Sequence, residues 1–127
     1  MPRPILDEAQ IHPAIRSKIA SHQQAIVQEV ITAAAANDVL VVGMRQNPFP
    51  KKARQALDQA GQVHRYLEYG NYFSSWRERN ALKMWTGWPS FPMVFVKGML
   101  VGGATDLQTL ISNGELQKML RPAATSL

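Results

Sequence analysis

Apolar side chains recur at steps of three and four along the first part of the chain. Ile15, Ile19, Ile26, Val30 and Ala33 form a stripe on which His22 also falls, and Ala20, Val27, Ile31 and Ala34 widen it. That period predicts one amphipathic helix over residues 14–36, with Pro13 at its first position and Asn37 at its stop. The stripe needs a surface to cover it, either this domain's own sheet or a second subunit. His22 is expected to pack there, because no second metal ligand lies one turn away. The period then changes. Val39-Leu40-Val41-Val42 is a continuous apolar run, mostly β-branched, of the kind found in a strand buried on both faces. A helix is predicted over residues 51–60, with Ala53, Ala56, Leu57 and Ala60 on one face and Gly61 closing it. "VHRYLEY" (63–69) alternates as a second strand does. Residues 70–85 contain a further helix, with Trp76, Leu82 and Trp85 as its expected buried anchors. Residues 93–96 and 99–101 read as a hairpin about Lys97-Gly98. Thr105 or Asp106 caps a short helix through Ile111. Asn113-Gly114 breaks it, residues 115–120 give a last turn or two, and residues 121–127 are expected to fray.

The order α, β-α-β, α, β-β, α predicts an α/β domain. Two strands joined by a helix pair in parallel, and an added hairpin completes a four-stranded mixed sheet with helices on both faces. At 127 residues, 46% hydrophobic and 18% charged, the chain suits one globular domain with a real core. It contains no Cys, which excludes disulfides, thiolate ligands and a thiol nucleophile. No apolar run approaches the roughly 20 residues of a membrane span. The start "MPRPILDEAQ" lacks the apolar run of a secretion signal, so a cytoplasmic location is expected. The net charge of +5 is unevenly placed: residues 1–40 carry three basic and four acidic groups, the remainder eleven and five. Arg45, Lys51, Lys52 and Arg54 crowd the junction between the first strand and its helix, with no acid nearby in sequence. Such a rim favours an anion or an acidic partner, although a solvated helix face explains it equally well.

Three motifs in order carry a resemblance. "VVGMRQNPFPKKA" resembles the strand, C-P-Y-C motif and helix of the glutaredoxin family of the thioredoxin fold. "WPSFPMVFVKG" resembles that family's W-P-T-x-P-x-x-F-V-x-G, whose second Pro is cis. "GGATDL" resembles its G-G-x-x-D-L. The resemblance covers residues 38–120, leaving 1–37 as an N-terminal helical extension and 121–127 as a tail. It implies a thioredoxin-like (glutaredoxin) fold and a place in redox homeostasis. Asn47 then stands at the first Cys, Pro48 at the Pro, Phe49 at the aromatic and Pro50 at the second Cys. An Asn amide is neither nucleophile nor base at neutral pH, but it is a favoured helix cap. Thiol-disulfide oxidoreductase activity is therefore not expected. Pro50 disfavours the helical conformation for Phe49, which would delay the helix start to Pro50 or Lys51.

The resemblance also implies a glutathione-binding side made of Arg45, Phe49, Phe91, Pro92, Gly103, Thr105 and Asp106. Phe91 would offer backbone hydrogen bonds before a cis Pro92. Thr105 and Asp106 would hold the γ-glutamyl end, and Arg45 would replace the family Lys whose place Met44 takes. Trp85 is assigned to the core, and Trp88 to a cover over the groove. Helix capping by Asp106 and a tight strand end at Gly102-Gly103 are the competing readings. Family members that hold [2Fe–2S] clusters use the Cys and the sulfur of glutathione, so no cluster is expected, and no covalent cofactor. The expected partner is glutathione or a glutathionylated or acidic protein, with no membrane and no nucleic acid. Two alternatives remain. One is an interaction module that keeps only the fold, with a homodimer through the N-terminal helix. The other is an enzyme that activates a bound thiol with Ser74, Ser75 or Tyr72.

Overall fold

The structure, a computed structural model, describes residues 3–71 and 74–121. A short 3-10 turn, Glu8–Gln10, leads into α1 (Pro13–Ser21) and α2 (Gln24–Ala36). There follow β1 (Val39–Gly43), α3 (Pro48–Gln59), β2 (Arg65–Glu68), α4 (Trp76–Thr86), β3 (Met93–Val96), β4 (Met99–Gly102), α5 (Ala104–Ser112) and α6 (Glu115–Leu120). The sheet order is β2-β1-β3-β4, with β1 parallel to β2 and antiparallel to β3, and β4 antiparallel to β3. No helix among the described residues is long and apolar enough to cross a membrane.

Alternation along β1 sorts the core into two layers, because successive strand side chains point to opposite faces. Leu40 and Val42 face a cluster that includes Ile26, Val30 and Ala33 of α2 and Ala81 and Leu82 of α4. Val39 and Val41 face Ala53 and Leu57 of α3, Ala104 and Leu107 of α5, and Leu116 of α6. The mixed sheet with a layer of helices on each face is thus the one the hydrophobic pattern predicts.

The N-terminal helix differs from expectation. It is two helices, broken at Gln23, which adopts a left-handed conformation (φ 49°). The break divides the stripe. Ile26 and Val30 of α2 are buried, whereas Ile15 and Ile19 of α1 are 43% and 53% exposed. His22 is exposed at the end of α1 rather than packed. α2 belongs to the core, with Ile26, Val30, Ala33 and Ala34 packed in its cluster.

Two further expectations fail on tertiary grounds. Only Leu82 of the three α4 anchors is buried; Trp76 is 56% exposed, and Trp85 is half-exposed while stacking on Phe95 (centroids 6.1 Å apart). The buried residues of α4 that the pattern missed are Ala81 and Arg79, and Arg79 donates from Nη1 to the carbonyls of Tyr69 (3.0 Å) and Ser74. Of the tail expected to fray, residues 121–127, all but Arg121 lie outside the described residues, as does Tyr72.

Candidate functional site

A groove of about 410 Å³ lies where α3 starts, where the loop after α4 ends, and where β4 hands over to α5. Its walls are Asn47, Pro48 and Phe49; Trp88, Ser90, Phe91 and Pro92; and Gly103, Ala104, Thr105 and Asp106. The Phe91–Pro92 peptide bond is cis.

Asn47 caps α3. Its Oδ1 accepts from the Phe49 N–H at 3.0 Å, as an N-cap side chain should. Its Nδ2 donates across the groove floor to the Phe91 carbonyl at 3.2 Å, a bond between residues 44 apart in sequence. The helix begins at Pro48, earlier than Pro50 or Lys51. The first turn accepts proline because its N–H groups have no intrahelical acceptor, and the Asn47 cap holds Phe49 in helical conformation despite the following proline. Pro50 itself is buried against Gly43, where an added Cβ would stand 2.7 Å from the Pro50 Cβ.

On the opposite wall, Asp106 Oδ2 accepts from the Gly103 N–H at 3.0 Å and braces the start of α5. Gly102 must be glycine: its φ is +117°, and a Cβ there would stand 2.5 Å from Asp106 Oδ2. The capping and tight-turn readings of these residues are therefore realised, and both residues remain part of a groove wall or its support. The third wall is held from a distance. The Trp88 N–H donates to Thr86 Oγ1 at 3.0 Å, and the Thr86 carbonyl accepts from Arg3 at 2.9 Å. The Trp88 indole Nε1 is buried without a hydrogen-bond partner.

Six of the seven expected binding residues line this groove. Arg45 does not. Its Nε donates to Glu68 Oε2 at 2.9 Å, on a neighbouring depression shared with Asn47, Lys51, Arg54 and Tyr66. Glu68 is the acid the local sequence lacks, brought in by β2. It also accepts from the Tyr66 hydroxyl at 3.0 Å. Burial, then the Glu68 bond and its charge, push the Tyr66 hydroxyl up to about 12, against the pull of Arg54. Arg54 lies 4.2 Å from the Tyr66 ring centroid, and Lys52 lies 5.1 Å from that of Phe49. Ser74 exchanges hydrogen bonds with Asn71, and neither Ser74 nor Ser75 lines the groove. The pairing of Asn47 with Phe91 and the support of Trp88 by Arg3 have no local sequence signal.

A sheet of order β2-β1-β3-β4 with helices on both faces, a cis proline and a helix start facing it define a thioredoxin-like protein. Comparison with known proteins narrows this. The Glutaredoxin family model matches residues 39–101. A glutaredoxin-like protein of Dictyostelium discoideum is 40% identical over 102 residues, covering 80% of this chain and 83% of that protein. A probable monothiol glutaredoxin 2 of Rickettsia felis is 45% identical over 73 residues, covering 58% of this chain and 67% of that protein. Among solved structures, oxidized glutaredoxin 2 from Chlamydomonas reinhardtii superposes with a TM-score of 0.67 at 32% identity, covering 77% of this chain and 92% of that one. A buckwheat glutaredoxin–glutathione complex shares the fold, with a TM-score of 0.68 at 21% identity over 79% of this chain and 91% of that one. The chain belongs to the glutaredoxin family.

Proposed function

We propose that this protein binds glutathione, or the glutathionyl group of a modified protein, in the groove and performs no thiol-disulfide exchange. The observation that carries the reading is Asn47: the position at the start of α3 that the family resemblance assigns to a reactive thiol holds a hydrogen-bonded amide, while the groove beside it is intact. The α5 start suits the ligand's γ-glutamyl carboxylate, because first-turn N–H groups and the positive dipole end favour an anion. Asp106 suits the adjoining ammonium. An iron–sulfur cluster does not fit these residues. The chain supplies no thiolate, and a neutral amide is a poor ligand for iron in such a cluster.

Calorimetric titration of glutathione tests the reading. Wild type should bind. Asp106→Asn keeps an acceptor for the Gly103 N–H but removes the charge, and should bind about tenfold more weakly, as loss of a charge-assisted hydrogen bond implies. No heat of binding in wild type would refute the proposal. A coupled assay with a glutathionylated substrate should show no turnover above a heat-treated control.

The exposed Ile15 and Ile19, together with Met84 at 67% exposure, favour a second reading, an interaction module with another copy of the chain as partner. Sedimentation of wild type and of Ile19→Glu decides it: a monomer in both would dismiss the dimer.

A further inference from the structure

Asn47 and Pro48 are a shared ridge: they line the groove and also a second depression, of about 460 Å³, between the start of α3 and β2. The two hollows differ in charge. Among the described residues that line the groove, the one charged side chain is that of Asp106. The depression holds Arg45, Lys51 and Arg54 against one acid, Glu68. Glu68 is already engaged, accepting from Arg45 Nε at 2.9 Å and from the Tyr66 hydroxyl at 3.0 Å. Lys51 and Arg54 are exposed and, among the described residues, take part in no salt bridge. Asp58, one turn beyond Arg54 on α3, lines a different hollow beside His64. The positive charges of Lys51 and Arg54 therefore stand unmatched in the depression. They are three residues apart on α3, which places them on one face. Arg54 is also oriented, because its guanidinium carbon lies 4.2 Å from the Tyr66 ring centroid. A guanidinium stacked on a ring keeps its N–H edge for another partner, and that planar fork matches a carboxylate.

We propose that the depression receives acidic residues that flank the modified cysteine of a glutathionylated protein. The chain then selects its partner by two marks, the glutathionyl group in the groove and carboxylates beside it. This rests on the glutathione-binding reading above and names the class of protein that carries the group. A glutathionyl sulfur seated in the groove lies toward Asn47, the position that the family resemblance assigns to the thiol. The partner's chain departs from that point, at the lip of the depression. A helix rises about 1.5 Å per residue, which sets Arg54 roughly 10 Å along α3 from Asn47. An extended chain covers that distance in about three residues. Lys51 and Arg54 thus meet the residues next to the modified cysteine, and free glutathione, which has no flanks, does not engage them. No bond is made or broken, and the mixed disulfide stays intact.

The test is fluorescence anisotropy on the wild-type protein with three labelled peptides. Each carries glutathione in disulfide linkage on its single cysteine, which is flanked by glutamates, glutamines or lysines. The glutamate peptide should bind at least about tenfold more tightly than the glutamine peptide at low salt, and the lysine peptide more weakly than either. Raising the salt to about 0.5 M should shrink the glutamate advantage, because exposed charges are screened. The double variant Lys51→Gln, Arg54→Gln should bind the glutamate and glutamine peptides alike and keep its affinity for free glutathione within about twofold. Equal affinities of wild type for the glutamate and glutamine peptides would overturn the inference and leave the glutathione reading in place. So would a double variant that loses free glutathione in the same proportion, since the two cations would then belong to the glutathione site itself. The glutamate peptide without glutathione should bind at least about tenfold more weakly than its modified form, and equal binding would also overturn the inference. Absence of binding by free glutathione and by all three modified peptides would overturn both.

Discussion

A side-chain amide is donor and acceptor at once, and Asn47 spends both capacities holding α3 to the residue before Pro92. Replacing it by Ala removes a helix cap and a cross-groove bond, so Asn47→Ala should lose about 1–2 kcal/mol in urea denaturation. Unaltered stability would mean that the cap is idle. In Asn47→Cys the new thiol would sit at a helix start beside Lys51 and Lys52, which favours the thiolate. Pro50 withholds an N–H and Glu68 neutralises Arg45, so the thiol should titrate below the ~8.5 of a free Cys by less than about one unit. The pH dependence of alkylation measures this, and titration at or above the free value would show that the α3 start exerts no field on position 47. The capping role could be read from Asn-Pro at the end of an apolar strand. The Phe91 bond could not, because it is made by fold closure between residues 44 apart.

The strands and the closing helix follow the hydrophobic period closely, because β1 is buried on both faces and Leu116 anchors α6. The break between α1 and α2 was hidden because Gln23 is neither Gly nor Pro and the three-and-four spacing runs through it unbroken. Burial settles what spacing could not: Val30→Ala should cost about 2 kcal/mol, whereas Ile19→Ser should stay within about 0.5 kcal/mol, both by chemical denaturation. A large loss for Ile19→Ser would place α1 against a surface, including that of another molecule. The contact between β1 and α3 gives a sharper case. A Cβ at Gly43 would stand 2.7 Å and 2.8 Å from Pro50 Cβ and Cγ and 3.0 Å from Tyr66 Cε1. Gly43→Ala should destabilise by about 1–3 kcal/mol through overpacking. Pro50→Ala in the same chain should recover part of it, a coupling that a double-mutant cycle measures. Two independent, additive losses would show that Gly43 matters for another reason.

Two tyrosine hydroxyls meet carboxylates: Tyr66 bonds Glu68 along β2 at one edge of the sheet, and Tyr69 bonds Glu29 of α2, tying the end of β2 to the helical layer. Burial and the carboxylate raise both hydroxyls above the ordinary value, Tyr66 to about 12. A tyrosine whose folded value exceeds its unfolded value near 10 keeps its proton longer in the native state. Its contribution is therefore complete below pH 10 and is lost as pH rises from 10 toward 12. Stability measured across that window should fall, and more gently in Tyr66→Phe; an equal slope would discharge Tyr66 from the effect. The fold class and six residues of the groove could be read from sequence, since family motifs keep their order. Arg45 could not be placed, because its partner arrives on β2. The bond from Arg3 to the Thr86 carbonyl spans 83 residues and props the loop that carries Trp88. A contact of that span closes about two thirds of the chain into a loop, and a chain end with few buried groups is where local opening begins. One wall of the groove should therefore breathe with the chain's beginning: hydrogen exchange at the Trp88 N–H should quicken in Arg3→Ala, while the amides of β1 keep their pace.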